Sequence, residues 1–297
     1  MTSSDSIRIA LPVQRAVPYL LSPAVLRQFR RSRSAVLGLV LTLAFILVAI
    51  LAPVLSPQDP VAFQLGARLA PPSGAHLLGT DELGRDILSR LLWGSRVTLF
   101  ITLSSVAISL VVGTFLGIFS GFRGGWVDNL IMRLMDIWLA MPAFLLAIAI
   151  IAALGPGTIN VIIAVGLSSI PAFARVARGS TLSVKQDDYV LAARALGGQD
   201  GRIMIRHILP NVVAPLLVQT SLRLATAILT ASGLSFLGLG PQPPEPEWGA
   251  MLSTGRNYIT SSPQLATIPG LAIMLVTIGF NTLGDGLRDV LDPRLKR

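Results

Sequence analysis

The stretch AVLGLVLTLAFILVAILAPVL, residues 35–55, decides the class of this protein. It runs for 21 residues without a charged side chain. A helix rises 1.5 Å per residue, so a bilayer core about 30 Å thick takes roughly 20 apolar residues to cross. Residues 35–55 therefore read as one membrane-spanning helix. The first 34 residues carry six arginines, and the 21-residue run exceeds the roughly 7–15 apolar residues of a signal peptide. The expectation is a first span behind a basic tail, not a cleaved leader.

The rest of the chain repeats this pattern. Of its 297 residues 52% are hydrophobic and only 13% are charged, where soluble chains carry about 25% charged residues. Residues 97–119 form a second uncharged run. Residues 137–174 form a third, too long for one crossing and divided by Gly155-Pro156-Gly157, a tight turn. Two short spans are expected there, at 137–154 and 158–174. A fifth lies at 211–237 with one charge, Arg223, and a sixth at 268–284. The fold class is all-α integral membrane with six spans.

Orientation follows from the basic residues, which collect on the cytoplasmic side of short loops. The tail of residues 1–34, the segment 120–136, the segment 175–210 and the C-terminal tail hold 18 of the 24 lysines and arginines. All four fall on one side if both termini are cytoplasmic. The net charge of +9 is spread between apolar blocks and not over a wet face, so nucleic acid is not an expected partner. With no cysteine, disulfides, thiolate metal sites and cysteine nucleophiles are excluded.

The outer segments have distinct grammar. Residues 56–79 are proline-rich. Residues 81–93 read as an amphipathic interfacial helix, capped by Thr80, with Leu83, Ile87 and Leu91 on one face and Glu82, Arg85, Asp86 and Arg90 largely opposite. Residues 238–263 hold Pro241, Pro243, Pro244 and Pro246, and predict a stiff excursion without room for a helix.

The longest inner loop, 179–210, is wet yet helical in pattern. Asp187 and Asp188 can cap a short helix through Leu196, which Gly197-Gly198 stops. A second piece is expected to end at Leu209, before Pro210. A short helix held along the inner surface would suit a soluble partner.

At this loop a resemblance becomes specific. Tyr189-Val190-Leu191-Ala192-Ala193-Arg194-Ala195-Leu196-Gly197, then nine residues, then His207-Ile208-Leu209-Pro210, is similar to the Glu-Ala-Ala loop of ABC importer permeases. Leu191 stands in the position of the glutamate, and His207 where isoleucine is frequent. Four further stretches resemble the dipeptide, oligopeptide and glutathione importer permeases. They are Leu78 to Arg90, Ser235-Phe236-Leu237-Gly238-Leu239-Gly240, Pro246-Glu247-Trp248-Gly249-Ala250-Met251-Leu252, and Gly284-Asp285-Gly286-Leu287-Arg288-Asp289 followed by Leu291-Asp292-Pro293. The resemblance covers about residues 35–297.

It implies the type I ABC importer permease fold, with both termini inside. The tails would be 1–34 and 287–297, the first span 35–55, the extracytoplasmic segment 56–95 and the permease core 96–286. It implies four kinds of partner: a second homologous permease, two ATPase subunits docked on 179–210, an extracytoplasmic substrate-binding protein, and membrane lipid. ATP and its magnesium would be bound by the ATPases, and no cofactor by this chain. Other cargoes served by such permeases, a nickel chelate or an antimicrobial peptide, stay open.

The residues agree that the energy source is elsewhere. A P-loop needs Gly-x-x-x-x-Gly-Lys-Ser/Thr. The two lysines, Lys185 and Lys296, neither follow a glycine nor precede serine or threonine. A membrane enzyme would need catalytic pairs at depth, and there is no His-Glu-x-x-His and no acidic pair inside a span. Ion-coupled transport uses buried carboxylates, which the span centres lack.

Single residues carry open readings. Arg223 either faces the translocation path, where it would favour a carboxylate, or pairs internally or at an interface. Trp248, Glu247 and Arg85 belong to outer segments that either receive the binding protein or simply cover the spans. Asp136 with Arg133, and Asp285 with Asn281 and Arg288, are spaced for local pairing. His207 reads as a structural polar residue with no metal role. Gly113 and Gly117 read as helix-packing sites.

Overall fold

The computed structural model describes residues 23–291. The outermost parts of the expected tails, 1–22 and 292–297 with Asp292-Pro293, lie outside the described residues. Everything described is helix and connecting loop, apart from one isolated bridge between Thr80 and Asp86. Five helices are long and apolar enough to cross a membrane, six when one sharply bent pair counts as a crossing.

A short helix α1 (Pro23–Arg31) leads into α2 (Arg33–Leu55), the first span. Ser32 caps α2, its hydroxyl accepting from the Ala35 amide at 3.2 Å. α2 packs antiparallel to the last span, α11 (Gln264–Leu291), and the contact is backbone on backbone. A Cβ added to Gly38 would lie 2.2 Å from the Leu283 nitrogen, and one on Gly286 would lie 2.4 Å from the Ala35 Cα. Apolar surface gains little by leaving lipid for protein, so such helices associate through close packing and interhelical hydrogen bonds.

The same device builds the centre. α3 (Ile87–Arg123) and α6 (Thr158–Val184) lie parallel. Gly113, Gly117 and Gly121 recur every four residues on the face of α3 that meets α6. Ser109 Oγ adds a hydrogen bond to the Gly166 carbonyl at 2.8 Å. Gly113 and Gly117 are thus packing sites, as their spacing predicts.

Several expectations need correction. Residues 81–93 are not a separate interfacial helix. Helix α3 starts at Ile87 and continues without a break into the second span, capped by Asp86, whose carboxylate accepts from the Ser89 amide at 2.8 Å. The residues before it form a turn, and Thr80 donates to the Ala67 carbonyl instead of capping. The apparent amphipathy has another cause: the charged residues are buried together under the outer loops.

The third crossing is not one helix over 137–154. It is α4 (Gly125–Ala140) and α5 (Ala143–Leu154), at 90° to each other across Met141-Pro142. Proline lacks an N–H and pushes the preceding residue out of the helical region, and Met141 is extended at ψ 132. Asp136 pairs with Arg175 of α6 at 2.7 Å and not with Arg133. Among the described residues, Asp285 and Arg288 form no ion pair.

The chain also does not break at Pro210. After α7 (Asp188–Ala195), α8 (Asp200–Ile203) passes through a π turn at Met204–Ile208 into α9 (Leu209–Phe236), the fifth span. The wider turn absorbs the proline, which sits in the first turn of α9, where its missing N–H costs least. Finally, the outer loop does hold a helix, α10 (Trp248–Gly255), which begins once the prolines end.

Tertiary contact also creates an ion pair that the spacing could not announce. Arg178 of α6 holds Asp128 of α4 at 2.6 and 2.7 Å through Nε and Nη2, and Ser120 of α3 donates to the same carboxylate. Asp128 is nearly buried, with 10% of its side chain exposed against 34% for Arg178. Asp128→Ala should cost about 1–3 kcal/mol, between the values of exposed and fully buried pairs. The double variant with Arg178→Ala should recover part of that loss. Thermal unfolding in detergent measures both, and an unchanged midpoint for Asp128→Ala would remove the pair from the structural account.

Candidate functional site

Two polar assemblies stand at opposite ends of the bundle. The inner one is built on α7. Asp187 sits at the N-cap position of α7 in extended conformation, without a side-chain cap bond, and Asp188 opens the first turn. Gly197 follows at φ 79, which suits glycine.

One face of α7 is anchored. Val190 is buried at 1% exposure, and Tyr189 and Ala193 pack against the core cluster that contains Phe122, Ile203 and Ile208. The Arg194 guanidinium lies 5.0 Å from the Phe122 ring centroid, a cation–π contact to the end of α3. Asn211 Nδ2 donates to the Tyr189 hydroxyl at 3.0 Å and to the His207 carbonyl at 2.6 Å, which ties α7 to the start of α9. Burial and the neighbouring Asp187 carboxylate push the Tyr189 phenol up to about 12, so it stays neutral. The His207 ring lies beside Tyr189, at 6.2 Å between centroids.

The opposite face is bare. Leu191 is 49% exposed and Leu196 88%, and Asp187, Asp188 and Ala192 are exposed around them. Leu209 and Pro210 are half-buried beneath and carry the π turn into the span. A rigidly backed helix thus shows leucines and carboxylates outward from the basic end of the bundle.

The outer assembly is a closed cap. Asp81 accepts from the backbone amides of Leu83 and Arg85 and from Arg85 Nε at 2.6 Å, with Arg90 Nε at 3.4 Å. Asp86 meets His76 at 3.0 Å. Trp248 Nε1 donates to the Leu91 carbonyl at 2.9 Å, and its ring packs 5.5 Å from Phe45. Glu247 caps α10 by accepting from the Ala250 amide at 2.8 Å, and burial pushes its carboxyl up. Arg85, Glu247 and Trp248 are therefore all buried. They hold the cap together and present no surface to a partner. Within the proline-rich stretch of the cap, residues 242–245 are exposed.

Arg223 lies half-buried on α9 and forms no ion pair with any described residue. The internal pairing expected as one option is thus not formed among them. An apolar groove of about 530 Å³ opens between α3 and residues 201–220, lined by Phe115, Phe119, Met204 and Leu217 among others, and offers no reactive group. Among the described residues, no cluster of three His, Asp or Glu could hold a metal. Phe122, Asn211 and the Asp128–Arg178 pair escaped sequence reading, because each acts on residues distant in the chain.

Up to six crossings around a glycine-packed pair, with a short helix anchored at the basic end, define a polytopic membrane protein. The fold matches a chain of the methionine ABC transporter MetNI in inward-facing conformation, with a TM-score of 0.57 at 18% identity, over 68% of this chain and 97% of that one. The chain belongs to the family of binding-protein-dependent transport system inner membrane components, which matches residues 113–297. Residues 23–72 match the N-terminal transmembrane domain of oligopeptide transport permease C.

Curated relatives agree. A dipeptide transport system permease of Alkalihalophilus pseudofirmus is 46% identical, over 91% of this chain and 89% of its own length. A glutathione transport system permease of Pectobacterium atrosepticum is 48% identical, over 91% and 90%. A di/tripeptide transport system permease of Pseudomonas aeruginosa is 47% identical, over 94% and 95%. The chain is a multi-pass inner-membrane permease subunit of an ABC importer. Such subunits work with a partner permease, ATPases and a binding protein.

Proposed function

We propose that this chain and a second, homologous permease enclose the path of a di- or oligopeptide, or of glutathione, and that two separate ATPase subunits seat on α7 and bind ATP and magnesium. The observation that carries this reading is the exposed Leu191–Leu196 face on a helix anchored from behind. ATPase closure would push α7, and Phe122, Tyr189 and Asn211 would pass the motion to α3 and α9. The basic end that carries α7 would face the cytoplasm, following the arginine distribution.

The cap would stand outside and receive the binding protein at residues 242–245, while Trp248, Glu247 and Arg85 keep its shape. The peptide cargo rests on the relatives, all three of which carry peptide or glutathione in their names. No cofactor is proposed for this chain.

Sealed vesicles holding the assembled complex test the reading. Peptide uptake should require ATP on the ATPase side and an added binding protein, and should survive collapse of the proton gradient. Uptake driven by a proton gradient without ATP would overturn it.

A further inference from the structure

One face of α9 carries a polar stripe that its own bundle leaves only partly covered. Successive residues of a helix are turned by about 100°, so Gln219, Arg223, Thr226 and Thr230 fall in one stripe along it. All four are exposed or half-exposed. The opposite face, with Ser221, Ala225, Ile228 and Ser232, is buried against neighbouring helices. Leu222 and Leu229 border the stripe on one side, and Leu229 is 51% exposed.

Polar groups are costly against lipid. A lone arginine at the centre of a span costs about 2.5–3.5 kcal/mol on insertion scales, so it faces water, a cavity or a partner. Arg223 has no carboxylate partner among the described residues to offset this. Thr226, by contrast, satisfies its hydroxyl on its own helix, donating to the Arg223 carbonyl at 3.0 Å.

An independent observation joins the same stripe to a broken helix. Towards its outer end, Gly233 continues the stripe, and a Cβ there would lie 3.0 Å from Phe144 of α5. Phe144 is the second residue of α5, directly after the 90° break at Met141-Pro142. Broken helices occur at membrane depth where the freed backbone groups are covered by protein or line a water-filled cavity. The polar stripe and the break therefore meet.

We propose that Gln219, Arg223, Thr226 and Thr230 form this chain's wall of the translocation path, and that the Arg223 guanidinium receives the free C-terminal carboxylate of the passing peptide. A guanidinium presents paired N–H donors that match a carboxylate. No acidic side chain lies on this stripe, so the wall distinguishes the two ends of a zwitterionic peptide. The Gln219 amide and the threonine hydroxyls offer side-chain-independent hydrogen bonds to peptide amides. This rests on the peptide-permease reading above.

Two measurements test it. The first compares uptake of a dipeptide and of its C-terminal amide by wild type, Arg223→Gln and Arg223→Lys. The binding protein's own preference is common to all three and cancels in the ratio between variants. Arg223→Gln should lower the acid-to-amide ratio at least about tenfold, and Arg223→Lys should restore much of it. An unchanged ratio with both compounds still carried would sink the Arg223 assignment alone. Failure of wild type to carry either compound would sink the cargo reading, and this inference with it.

The second measurement uses the absence of cysteine from the chain. Gln219→Cys and Thr226→Cys should react with a membrane-impermeant thiol reagent in the assembled complex, more slowly when peptide is present. Val111→Cys, in the apolar groove, should stay unreactive. Equal labelling of all three, or of none, would remove the stripe from the path.

Discussion

Replacing Gly117 with leucine is expected to leave almost no folded permease in the membrane. A Cβ at this position would already sit 2.3 Å from the Ala174 carbonyl oxygen and 2.7 Å from the Ala177 Cβ. These atoms belong to the backbone and to a fully buried alanine of α6, so no flexible side chain can swing aside. Extra methylenes in a packed core cost about 1–3 kcal/mol where the surroundings can yield. Here the α3–α6 pair would have to separate, and the Ser109–Gly166 hydrogen bond would go with it. Total stability is of the order of 5–15 kcal/mol, so the loss is a large fraction of the whole. Monodisperse yield after detergent extraction should fall more than about tenfold. Gly179→Leu in the same α6 meets nothing within 4 Å and should extract normally. Equal yields from the two variants would mean that the glycine contact is not what holds the core.

The second large effect is functional. Leu196→Asp should leave the permease folded and abolish its coupling. The side chain is 88% exposed, so the isolated subunit barely registers the change. If α7 seats the ATPase, the substitution removes a buried leucine, worth about 1.5–3 kcal/mol, and places an unpaired carboxylate in the interface. ATPase association should weaken at least about a hundredfold, and ATP-driven uptake should disappear with it. Leu77→Asp makes the same chemical change on the outer side, where Leu77 is 61% exposed. It should leave ATPase association intact. Retention of the ATPase by Leu196→Asp in a pull-down would move the docking surface off α7.

The two experiments address different levels of the same design. The glycine stripes let α3 meet α6 and α2 meet α11 at backbone distance, which gives a stiff frame. On that frame α7 is held from behind by Val190, Tyr189 and the Arg194–Phe122 contact. If α7 is the lever proposed above, this stiffness matters, because a lever that flexes transmits nothing. The bend at Met141-Pro142 meets the polar stripe of α9 where Phe144 approaches Gly233.

Much of this was legible along the chain. Long uncharged runs report spans because a bilayer core offers backbone groups no hydrogen-bond partner except the helix itself. Arginine counts predicted a side for each loop. Asp187, Asp188 and Gly197 announced the bounds of α7 through sequence pattern that depends only on neighbours, although Asp187 stands at the N-cap position without a side-chain cap bond. Gly113 and Gly117 announced close packing, though not the partner. What local pattern could not report was context. Leu83, Ile87 and Leu91 read as the apolar face of an interfacial helix, whereas Ile87 opens a span and the surrounding charges are neutralised in a buried cluster. Periodicity does not distinguish a wet charged face from one covered by a distant loop.

Sequence alone thus determined that the chain crosses a membrane, roughly where, and which inner segment forms a short helix. These follow from segment hydrophobicity and nearest-neighbour backbone chemistry. Only the tertiary structure decided that Arg85, Glu247 and Trp248 are buried structural members, that Asp128 belongs to Arg178, that the third crossing turns by 90°, and that Arg223 is half-buried with no ion-pair partner among the described residues. Burial and pairing here depend on contacts between residues distant in the chain, as the Asp128–Arg178 and Trp248–Leu91 bonds are, and no local pattern encodes which of the possible contacts forms.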